Sequence, residues 1–146
     1  ATIMIIGATL LIVVHALFSV PFLNHPAIAV VLVILLGIAF SLVPSAMWPS
    51  VPKIIPEKLL GTAYSLIFFV QNIGLMFVPL IIGKLLDKYC IIGQVMIDGQ
   101  MVTQYDYTIP MITFTLLGVC ALVFAFWLKA EDKRKDYGLE KPNIIK

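Results

Sequence analysis

No Asp, Glu, Lys or Arg occurs before Lys53, so the first 52 residues carry no formal side-chain charge apart from His15 and His25. A soluble domain cannot hide that length of uncharged sequence, whereas a bilayer asks for it: a hydrocarbon core of roughly 30 Å takes about 20 apolar residues per helix. Two interruptions break the apolar text, Pro21-Phe22-Leu23-Asn24-His25-Pro26 and the proline-rich stretch from Pro44 to Pro56. The segment therefore reads as two membrane spans joined by a tight turn. Composition agrees, with 61% hydrophobic and 12% charged residues, against about 45–50% and about 25% in soluble domains.

Four spans are expected, over about 3–20, 27–48, 59–82 and 109–128, which makes the chain an all-α integral membrane protein. Pro26, Pro56 and Pro110 stand at or just before the starts of the last three, where a missing N–H costs nothing. Ala1 leads straight into an apolar run without an initiator Met or flanking charge, which suggests a piece of a longer protein. Counting Lys and Arg by side sets the orientation. Lys53, Lys58, Lys129, Lys133, Arg134, Lys135, Lys141 and Lys146 fall on one side and only Lys84 and Lys88 on the other. The tail, 130–146, is expected to be cytoplasmic, solvated, and short amphipathic or irregular. The membrane expected is a cytoplasmic one (inner or plasma) in preference to a lysosomal one. Between spans three and four, 90–107 forms an external loop. Asp98-Gly99 stands there between two β-prone runs and suits the positive φ angles of a type I′ hairpin turn. Surface decoration and a gate or partner contact are both open readings of it.

Polar side chains inside a span are costly and therefore informative. His15 stands alone in the first span, where a hydrogen bond to another helix or an interfacial place accounts for it. In the second, Gly37, Ser41 and Ser45 recur every four residues, a small-residue stripe that permits close helix approach. Pro44 should bend the helix near Ser41, Ser45 and Trp48. The third span carries Gln71-Asn72 at mid-membrane, and two amides there need partners. Tyr64, Phe68, Gln71 and Leu75 share one helical face, so one amide is expected to face a cavity and the other a neighbouring helix. Gly74, Pro79 and Gly83 allow bending and close contact, and Thr113 and Thr115 in the fourth span can bond to their own helix.

Other chemistry finds no purchase. No Asp, Glu, Lys or Arg lies in the core of any span, and no nucleophile grouping, phosphate loop or metal-ligand set accompanies His15 and His25. Catalytic residues, a metal and a cofactor are not expected. Cys90, in a loop, and Cys120, mid-span, make no disulfide framework. Basic residues do not interleave with aromatics, which excludes nucleic acid as an expected partner.

Three stretches carry a family likeness: Pro44-Ser45-Ala46-Met47-Trp48-Pro49-Ser50-Val51-Pro52, Leu60-Gly61-Thr62-Ala63-Tyr64 and Gln71-Asn72-Ile73-Gly74. The run resembles helices ten and eleven of major facilitator superfamily transporters, most like the branch of the lysosomal dipeptide uniporter and its bacterial relatives. Gly83-Lys84-Leu85-Leu86-Asp87 is similar to the external end of helix eleven. The resemblance implies helices nine to twelve of a twelve-helix fold, within its C-terminal six-helix half. It implies two halves rocking around a central site, with the missing N-terminal part and the lipid bilayer as partners. The solute would be small and polar, short peptides first. Tyr64, Gln71 and Asn72 would meet it, Ser41 and Ser45 would shape the bend, Trp48 would anchor the inner end, and Lys53 and Lys58 would serve a cytoplasmic gate. The alternative is a free-standing four-helix membrane protein acting by helix association with partners.

Overall fold

The computed structural model describes residues 1–20 and 25–142. Residues 21–24, in the expected turn between the first two spans, and 143–146, including Lys146, lie outside the described residues. Four long helices and one hairpin follow in order: α1 (Thr2–Phe18), α2 (Pro26–Ile54), α3 (Leu60–Tyr89), β1 (Ile91–Ile97), β2 (Gln100–Tyr105) and α4 (Thr108–Lys135), with a 3-10 turn at Glu57–Leu59 leading into α3.

Three of these helices, α2, α3 with its leading turn, and α4, are long and apolar enough to cross a bilayer. With 17 residues, α1 covers roughly 25 Å at 1.5 Å per residue, at the short limit for a crossing. The helices are longer than the apolar text. Pro44, Pro49 and Pro52 all lie inside α2, which runs on to Ile54. Likewise α3 continues to Tyr89, and α4 carries the first charges of the tail as far as Lys135. Hydropathy stops where charge begins, but the backbone ladder does not, because Lys, Arg and Glu are good helix formers.

The packed part is a three-helix layer with α1 between α2 and α4. Val14 and Ala39 are fully buried, with Ala8, Leu32 and Ala125 around them. Two glycines set the spacing. A Cβ at Gly7 would stand 2.9 Å from Val43 Cγ2 and 3.4 Å from the Ala39 carbonyl oxygen, and one at Gly118 would stand 2.9 Å from Ile12 Cγ1. In a bilayer, where lipid tails are as apolar as the helices, such close backbone approach supplies the dispersion contact that holds helices together. A Cβ at Gly37, Gly74 or Gly83, expected from the residue pattern as close-packing points, would meet no neighbouring element within 4 Å among the described residues.

α3 stands apart, with no buried residue along its length. At its far end β1 and β2 pair antiparallel with Ile97 opposite Gln100. Asp98 (φ 49°) and Gly99 (φ 79°) make the two-residue turn, the left-handed conformation that Asp tolerates and Gly adopts freely.

Candidate functional site

Proline chemistry builds the candidate site. A proline inside a helix has no N–H to give the carbonyl four residues back. Pro52 accordingly leaves the Trp48 carbonyl without its ladder partner, and in a membrane an unsatisfied carbonyl is costly. The Tyr64 hydroxyl fills that vacancy from α3, donating to the Trp48 carbonyl oxygen at 3.3 Å. The bond crosses from one helix to the next and fixes the entry of α3 against the Lys53 end of α2.

Aromatic packing reinforces it. The Trp48 ring lies 5.6 Å from that of Tyr64 and 4.9 Å from that of Phe68, tilted by 35° and 32°. Offset aromatic pairs of this kind contribute about 0.5–1.5 kcal/mol each beyond their buried area. Tyr64 and Phe68 are one helical turn apart on α3, so the same face continues to Gln71 one turn further. The result is a half-open aromatic corner with an amide above it.

The two amides divide. Asn72 Nδ2 donates to the Phe68 carbonyl of its own helix at 2.8 Å. Its amide is thus held by α3, rather than by the neighbouring helix that the residue pattern suggested. Gln71 is exposed, and its amide is the better placed of the two for an outside partner. Ser41 and Ser45 are exposed on α2, their hydroxyls bonded to the carbonyls of Gly37 at 3.0 Å and Leu42 at 2.9 Å. They line α2 without joining the aromatic corner. Pro44 and Pro79 lie inside continuous helices.

Lys53 and Lys58 separate as well. Lys58 is exposed in the 3-10 turn. Lys53 turns to the chain's last described segment, its Nζ donating to the Gly138 carbonyl at 3.0 Å and to that of Lys141. The residue pattern offered no sign of this; it presented the tail as solvated. Leu139, between Gly138 and Glu140, is 8% exposed.

His15 also differs from the expected cross-helix bond. Its Nδ1 lies 2.8 Å from the Leu11 carbonyl oxygen of its own helix, and its ring packs 5.4 Å from Phe114. It borders an apolar groove of about 590 Å³ between α1, α2 and α4. Among the described residues no three His, Cys, Asp or Glu side chains come together as a metal site.

The profile of the Major Facilitator Superfamily matches residues 1–143. Among known proteins, the lysosomal dipeptide transporter MFSD1 of Mus musculus is 42% identical over 83 residues, 57% of this chain and 17% of the relative. Its counterpart in Homo sapiens is 44% identical over 54 residues, 37% of this chain and 12% of the relative. That of Gallus gallus is 41% identical over 73 residues, 50% of this chain and 16% of the relative. The matched stretch thus spans less than a fifth of the length of these relatives. No solved structure matches the chain.

Proposed function

Because the chain belongs to the Major Facilitator Superfamily, we propose that it forms part of the C-terminal half of a transporter, helices nine to twelve, that moves a small polar solute by alternating access. The assignment is to transport and not to catalysis. The relatives are named as dipeptide transporters, and short peptides are the substrate class we assign. A peptide presents amide donors and acceptors and a mix of apolar side chains. An exposed glutamine amide above an aromatic corner suits both kinds of group.

The observation that carries the reading is the Trp48–Tyr64–Phe68 corner with Gln71 on the same face of α3. Helix α3 is apolar and has no buried residue, as suits a helix with one face to a path and others to further helices of the same protein. Tyr64 and Gln71 would bond the solute. Asn72, Ser41 and Ser45 shape the wall, Trp48 anchors the inner end, and Lys58 with Lys53 lies at the cytoplasmic mouth. The Lys and Arg distribution supports a cytoplasmic tail. We place the protein in a cytoplasmic membrane; co-fractionation with a lysosomal marker would move it to the membrane its relatives are named for.

Uptake of labelled di- and tripeptides by the intact protein in proteoliposomes, with and without a pH gradient, tests the reading. Saturable uptake lost in a correctly inserted Gln71→Ala, Asn72→Ala variant supports it. Uptake unchanged in that variant removes the amides from the path, and no peptide uptake under any gradient overturns the substrate class.

A further inference from the structure

The end of the chain does not trail into solvent. After α4, Asp136 (φ 50°) and Gly138 (φ 72°) take left-handed conformations, which turn the backbone sharply, and it runs back over the helix ends. Three anchors hold it there. Asp132 on α4, itself only 9% exposed, accepts from the Leu139 N–H at 3.1 Å. Glu140 Oε1 accepts from both the backbone N–H and the hydroxyl of Thr2 at 2.8 Å, at the start of α1. The Lys129 ammonium donates to that same Thr2 hydroxyl at 2.9 Å. On α2, Lys53 donates to the carbonyls of Gly138 and Lys141. Leu139 is buried beneath. One short segment therefore touches three helices, each through a charged group, and charge-assisted bonds are the stronger kind.

We infer that residues 136–142 form a clasp that locks the inner end of α2 to α1 and α4. The segment covers the proline-interrupted part of α2: Leu139, Glu140 and Lys141 share a cleft of about 520 Å³ with Pro49, Ser50 and Lys53. Ser50 is only 6% exposed. Three prolines leave this stretch short of ladder bonds, so it is the part of α2 best able to move, and the clasp holds it still. Release of the clasp is the step that frees it. The inference goes beyond the transport reading and does not depend on it.

Ser50 provides the test, because its hydroxyl bonds only to Ala46 of its own helix at 2.7 Å. A Ser50→Cys substitution preserves size and removes no tail contact. The intact protein in open membrane sheets, with both faces accessible, is treated with a polar maleimide, and modification at position 50 is read by peptide mass spectrometry. Lys53→Met and Glu140→Gln, each in the Ser50→Cys background, break the clasp at α2 and at α1. Modification about tenfold faster in both is expected, the equilibrium effect of losing a hydrogen bond to a charged group. Equal rates with and without the anchors overturn the inference. So does a rate in the unbroken clasp matching that of Lys58→Cys at its exposed site. A parallel rise at Val14→Cys, in the fully buried layer, would mean the helices part as a whole and would overturn it too.

Discussion

The bond from Tyr64 to the Trp48 carbonyl replaces a ladder bond that Pro52 cannot make. A double-mutant cycle tests this. Tyr64→Phe keeps the ring, and with it the 5.6 Å packing on Trp48, while removing only the donor. Interhelical hydrogen bonds in membranes average about 0.6 kcal/mol with a maximum near 1.7, and a carbonyl left unpaired costs about 1–3 kcal/mol. At 3.3 Å and partly buried, the loss should be about 1 kcal/mol. Pro52→Ala supplies an N–H to the same carbonyl from within α2, so the carbonyl no longer needs the phenol. In that background Tyr64→Phe should cost nearly nothing, giving a coupling of about 1 kcal/mol, beyond the ~0.3–0.5 kcal/mol scatter of independent sites. Pro52→Ala alone should be neutral or stabilising, by less than the ~3 kcal/mol of a mid-helix proline, since Pro52 lies two residues from the helix end. Denaturant titration in mixed micelles, followed by tryptophan fluorescence, measures all four corners. If Tyr64→Phe costs as much with Ala at position 52 as with Pro, the hydroxyl is not standing in for the missing N–H, and the reasoning fails.

Three further outcomes are expected. Gly7→Val should destabilise the α1–α2 contact by about 1–3 kcal/mol, because even a Cβ would meet Val43 at 2.9 Å and Leu42 at 3.1 Å; a variant as resistant to denaturant as the parent would show that the helices can separate freely there. In peptide uptake, Gln71→Ala should raise KM about two- to tenfold, the worth of one hydrogen bond of about 0.5–1.5 kcal/mol, while Asn72→Ala should do less because its amide is engaged with Phe68. The reverse ranking would exchange their roles. Glu140 should make the tail acid-sensitive: the Thr2 hydroxyl and then its N–H hold the carboxyl below its ordinary 4.5. A depressed carboxylate stabilises the folded arrangement above the unfolded value and loses that contribution as pH falls through the folded one. The clasp should therefore be fully held at neutral pH and loosen below about 4.5. The Ala1 amino group stands 3.4 Å from the carboxylate, Lys53 and Lys141 share its cleft and Lys129 bonds to the same Thr2 hydroxyl, so the contribution is read as the difference in Leu139 amide exchange between the parent and Glu140→Gln. No difference across that pH range would refute it.

The amino-acid order determined what depends on neighbours along the chain. An apolar run of bilayer length can satisfy its backbone only as helix, so the main helices are legible without any fold. Asp98-Gly99 is legible as a turn because positive φ is a property of the two residues themselves. The face shared by Tyr64, Phe68 and Gln71 follows from helical period alone, and the motifs around it pointed to the family that the comparison with known proteins supports.

Tertiary structure decided which groups meet. The Gly37–Ser41–Ser45 spacing is a fair close-packing signal, yet Gly7 and Gly118 are where helices approach, since a stripe says nothing of which face finds a neighbour. Asn72 and His15 bond to their own helices, a choice that turns on side-chain rotamer and not on position in the chain. Pro52, Trp48 and Tyr64 are each visible as residues, but their mutual satisfaction exists only once α3 folds back against α2. The tail is the clearest case: Lys53 and Gly138 are separated by 85 positions, and charge by itself reads as solvation. Hydrogen bonds over such distances are set by where whole helices come to rest, and that is a property of packing, which no local pattern of residues contains.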